Sequence, residues 1–87
     1  SLPQPQQPAV YATVEQMVDE ALLNEAVSRF LSTLSADART IFLHRYGNGK
    51  TIAEIARDFR ISQSKVAVTL MRTRKKLRKF LDEEGWL

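Results

Sequence analysis

The 87-residue sequence contains no cysteine, which excludes disulfide bridges and thiolate metal sites and permits a reducing compartment. Its one histidine, His44, has neither a second histidine nor a cysteine to share a metal with, so a packing or helix-surface role is expected and no metal site. No apolar run approaches the ~20 residues that a bilayer crossing demands. The first residues lack the basic start and apolar core of a secretory signal. A cytoplasmic protein without membrane contact is expected. The three glycines build no phosphate-binding loop, since Gly47 and Gly49 flank a single turn. Glu54 and Asp58 stand four residues apart, but Glu54 is accounted for by a helix cap and Asp58 by pairing with a nearby arginine. Neither an enzyme nor a cofactor is expected.

Acidic residues are missing where they would be most informative. From Lys65 to Lys79 there are seven basic residues (Lys65, Arg72, Arg74, Lys75, Lys76, Arg78, Lys79) and no acid. A solvated helix face normally mixes signs, so a face of one sign points to a polyanion. The net charge is only +3, yet residues 1–44 sum to −3 and residues 45–87 to +6. Such asymmetry suggests two surfaces with two partners, or acids that merely serve the first turns of helices.

The prolines are confined to Pro3, Pro5 and Pro8, interleaved with glutamines, and residues 1–12 read as a flexible linker following some preceding segment. Residues 13–87 then read as one domain. Thr13 with Gln16 three residues later predicts a helix start. Val14, Met17, Val18, Ala21, Leu22, Ala26, Val27, Phe30, Leu31 and Leu34 keep helical spacing, with Asn24 a candidate break and an end near Ser32–Thr33. Ser35 predicts the next N-cap, and Gly47-Asn48-Gly49 the end of that helix. Gly85 suits a helix terminus, and Trp86 is expected to fold back on the core. No strand signal and no internal repeat is present.

The most informative stretch runs from Thr51 to Leu81. Thr51 and Glu54 form a capping box, and Ser62 is an N-cap ahead of a long periodic run. A short helix, a tight turn and a second helix make the helix-turn-helix pattern, whose second helix enters the DNA major groove. In that helix Val66, Leu70, Thr73, Leu77, Phe80 and Leu81 fall within one stripe about 100° wide, with Thr73 small enough for a close packing point. Ser64, Val68, Met71, Arg72, Lys75, Lys79 and Asp82 lie opposite, with Arg78 close beside them. The expected fold is all-α: a small four-helix domain containing a helix-turn-helix with a long C-terminal recognition helix.

From about Phe30 to Gly85 the sequence resembles region 4, the C-terminal domain of bacterial RNA polymerase sigma factors, and most of all the extracytoplasmic-function group. The resemblance is carried by Phe30-Leu31-x-x-Leu34-Ser35 and Arg39-x-Ile41-Phe42-Leu43-x-Arg45-Tyr46. It continues through Ile52-Ala53-Glu54-Ile55-Ala56, Ile61-Ser62-x-Ser64-Lys65-Val66 and Arg72-x-Arg74-Lys75-Lys76-Leu77. It implies a transcription initiation factor domain that reads the promoter −35 element in double-stranded DNA and docks on the flap of core RNA polymerase. A separate N-terminal domain, acting at the −10 region, is implied as well. By position, Gln63, Ser64, Lys65, Ala67 and Val68 would reach base edges, where glutamine pairs with adenine and lysine with guanine. Arg45, Lys50, Thr51, Arg72 and Lys75 would hold phosphates; Lys50 also stands beside a helix N-terminus suited to anions.

Two positions depart from the family's habit. Arg60 occupies a turn position usually held by glycine, and Ala67-Val68 replace the common basic residue and serine. Val68 and Met71 then form an exposed apolar spot, which suits thymine-rich DNA or a protein such as an anti-sigma factor. Two other functions fit the pattern. One is a different helix-turn-helix regulator, although such domains usually end soon after the recognition helix. The other is a helical interaction module whose basic face meets an acidic protein.

Overall fold

The computed structural model describes residues 9–87, with side chains described from Thr13 onward. Four helices follow in order: α1 (Ala9–Ser32), α2 (Ala36–Tyr46), α3 (Ile52–Phe59) and α4 (Gln63–Glu83), with no strand among the described residues. The all-α expectation holds. α4 is the common partner, packing against each of the other three helices.

Local chemistry explains most of the boundaries. The Ser35 hydroxyl accepts the Ala38 amide and starts α2. α2 ends where the Gly47 and Asn48 amides both donate to the Leu43 carbonyl. Only Gly49 of the Gly-Asn-Gly turn takes a left-handed backbone, at φ 68°. Gly47 is needed for a different reason: a Cβ there would stand 2.7 Å from the Leu43 carbonyl oxygen. α4 closes in a Schellman motif, with the Trp86 amide on the Leu81 carbonyl, the Gly85 amide on the Asp82 carbonyl, and Gly85 at φ 85°.

The core is built from Ile41, Ile55, Ala56, Val66 and Leu70, with Ile52, Phe59 and Ile61 packed around it. Thr73 is buried as its place in the stripe requires, and its hydroxyl donates to the Thr69 carbonyl. His44 also packs, its ring 5.3 Å edge-on from Phe59. α1 joins the body through buried Ala26, Phe30 and Leu34, with Phe30 5.5 Å from the Phe80 ring. Arg39 ties α1 to α2: its guanidinium donates to the Leu31 carbonyl, which also accepts the Leu34 amide, and to the Leu34 carbonyl just past the end of α1.

Three expectations change. α1 begins at Ala9, so residues 9–12 are helical rather than part of an extended linker, and Thr13 lies inside the helix instead of capping it; the rest of that linker, residues 1–8, lies outside the described residues. Gln16 accordingly donates to Glu20 one turn on. Asn24 does not interrupt α1, and Val14, Met17, Val18 and Leu22 are all at least half exposed rather than buried. The body is too short to cover a 24-residue helix, which spans about 36 Å at 1.5 Å per residue. Trp86 does turn back, but onto α1 beside Glu15, Gln16, Asp19 and Leu23, where it stays partly exposed.

Candidate nucleic-acid interface

The interface is assembled by α3, the turn after it, and α4. At the start of α3 the capping box is complete: the Glu54 amide donates to the Thr51 hydroxyl at 3.1 Å, and the Thr51 amide to the Glu54 carboxylate at 3.0 Å. Those hydrogen bonds from Thr51 hold the Glu54 carboxyl below its ordinary value. At the other end Arg60 is left-handed, at φ 55° and ψ 45°. The Ile61 amide donates to the Ala56 carbonyl and the Arg60 amide to Arg57, again a Schellman pattern. The Ser62 hydroxyl then accepts the Lys65 amide and launches α4 within two residues of the turn. These caps set the angle at which α4 leaves α3.

Helical spacing divides α4 into two opposite rows. Val66, Leu70 and Thr73 are buried, and Leu77 is half-buried below them. Ser64, Val68, Met71 and Lys75 each lie two residues from a member of that row, about 200° around the axis, and all four are exposed. They form the ridge farthest from the core. Gln63, Ala67, Arg74 and Arg78 stand on one shoulder of it, and Lys65, Arg72, Lys76 and Lys79 on the other. Gln63 and Lys65 are exposed and Ala67 is half-buried.

The cations of α4 are largely unneutralised. Among the described residues Lys79 alone of the seven approaches a carboxylate, 4.0 Å from Glu83. Arg74 is held by the Tyr46 hydroxyl at 2.9 Å, which leaves its charge intact. Arg72 and Lys75 are exposed and make no ion pair among the described residues. So do Lys76 and Arg78, which the sequence reading passed over as site residues; the acid-free run was the signal that contained them.

The other three phosphate candidates already serve the fold. Arg45 donates to the Lys50 carbonyl at 2.9 Å and braces the loop. Lys50 pairs with Asp58 at 2.8 Å, so Asp58 finds a lysine rather than the expected arginine. Its carboxyl is held below the usual aspartate range chiefly by that hydrogen bond. Thr51 is occupied by its cap. The described residues contain no group of three or more His, Cys, Asp or Glu able to hold a metal. No helix among the described residues is long and apolar enough to cross a membrane.

The family described as Sigma-70, region 4 matches residues 24–77, which takes in α1 from Asn24 onward, all of α2 and α3, and α4 as far as Leu77. No curated protein matches the chain. With that match over more than half its length, the chain belongs to the sigma-70 family as a region 4 domain, the non-enzymatic part of a transcription initiation factor that binds the promoter −35 element and docks on core RNA polymerase inside the cell.

Proposed function

We propose that α4 is the −35 reader and that Gln63, Ser64, Lys65, Ala67 and Val68 are the residues at the base edges. Arg72 and Lys75, joined by Lys76 and Arg78, then take phosphates on either side of the major groove. Arg45, Lys50 and Thr51 border the same face, and contribute only the donors that the loop leaves over. The observation that carries this reading is the exposed run of cations from Lys65 to Lys79, free of acids and set largely away from the buried row of α4. Phosphate contacts supply position and most of the affinity, while base contacts supply the sequence.

The resemblance also supports placement in the extracytoplasmic-function group and in the cytoplasm. Docking on the polymerase flap falls to the apolar surface of the earlier helices, where Leu22 and Leu43 are exposed. Lys65→Ala and Lys75→Ala test the division of labour. In footprinting with core polymerase, Lys65→Ala weakens preference at one −35 position. Lys75→Ala weakens preferred and random duplexes alike. Equal losses on both kinds of DNA for both variants would remove Lys65 from the base-reading set.

A further inference from the structure

The outward ridge of α4 is where a groove-bound helix comes nearest the floor of the groove, and its middle is apolar. Val68 is 39% exposed and Met71 46% exposed, one turn apart on that ridge, with cations on both shoulders. Neither side chain is turned inward, and neither offers an N–H or O–H to a base. A polar base edge sealed against them would lose its water without gaining a partner. One base-edge group in the major groove suits an apolar surface: the C5-methyl of thymine. The flanking cations decide what kind of molecule lies over the ridge. Lys65, Arg72 and Lys76 on one side, with Arg78 on the other, match two phosphate backbones with a groove floor between them.

We propose that Val68 and Met71 read thymine methyl groups, which makes Met71 a specificity-determining residue beside the five proposed above. This deepens the assignment of α4 as the −35 reader and rests on it. The ridge thus takes duplex DNA whose −35 element places thymines under the second and third turns of α4.

The test removes the methyl group and nothing else. Core RNA polymerase loaded with the full chain selects its preferred −35 duplexes from a randomised library. Each thymine of the selected element is then replaced by uracil, which pairs identically. Uracil under Val68 or Met71 is expected to weaken binding about fourfold, the worth of one buried methyl. Val68→Ala and Met71→Ala should each abolish the penalty at one position and leave the penalty at the other. Both variants are expected to melt as the wild type does, since both side chains are exposed. A selected element without thymine beneath the ridge overturns the proposal, as does equal binding of thymine and uracil duplexes, or a penalty that persists in both variants. If the variants keep wild-type DNA binding but lose a protein partner, the spot is a protein surface and the proposal fails. Loss of all sequence preference in the wild type would instead defeat the reading of α4 on which it rests.

Discussion

Arg60 is the residue whose backbone departs furthest from its own preference. A non-glycine side chain in the left-handed region is unfavourable by about 1–2 kcal/mol, partly offset in any glycine replacement by the greater freedom of the unfolded chain. Arg60→Gly should therefore stabilise the domain by about 0.5–1 kcal/mol, read as a higher midpoint in urea. A second residue-scale prediction concerns Asp58 and Glu54. Both carboxyls are depressed, so they bind fewer protons in the folded state than in the unfolded state. Their contribution to stability is present above their ordinary values, 3.8 for Asp58 and 4.5 for Glu54, and is lost as pH falls through the lower folded values. Lys50→Ala should return the Asp58 carboxyl toward its ordinary value in an NMR titration and leave Glu54 depressed, because the capping box does not involve Lys50. The turn departure was legible beforehand, since a position wanting glycine is visible in a pattern. The Lys50–Asp58 pair was not, because choosing Lys50 over an arginine depends on how the loop before α3 folds back along it.

At the scale of elements, the helices differ in how completely their local signals determined them. α2, α3 and α4 each begin at a Ser or Thr whose hydroxyl accepts an amide three residues on, a contact that exists before any tertiary structure forms. α1 lacks such a boundary at Thr13, and its apolar spacing runs on past the part that is covered. Periodicity reports that a face is apolar, and says nothing of whether another helix lies over it. Two substitutions separate the halves of α1. Phe30→Ala, in the buried half, should cost about 3–5 kcal/mol, enough to unfold much of a domain this small. Val18→Gln, in the exposed half, should change stability by less than about 0.5 kcal/mol. Thermal denaturation by circular dichroism distinguishes them, and a large loss for Val18→Gln would mean that the first half of α1 is packed in solution.

For the whole molecule, the governing feature is the separation of charge: acids along α1 and uncompensated bases along α4. Binding to duplex DNA should fall steeply with salt, each phosphate-engaged cation adding about 0.9 to the slope of log affinity against log salt. Replacing Arg72 and Lys75 together by alanine should lower that slope by about two, measured by anisotropy titration of the polymerase complex. An unchanged slope would place those cations away from phosphate.

By itself the sequence determined the helical class, three of the four helix starts and the sidedness of α4, because caps and a 3.6-residue period are properties of neighbours along the chain. It also contained the family resemblance from Phe30 onward. Only the tertiary structure decided which cations remain free. Arg45, Lys50 and Arg74 find their partners through loops and neighbouring helices, Arg74 on a tyrosine 28 positions away. Such contacts depend on how helices cross, and crossing is a balance of packing over the whole core that no short stretch of sequence contains.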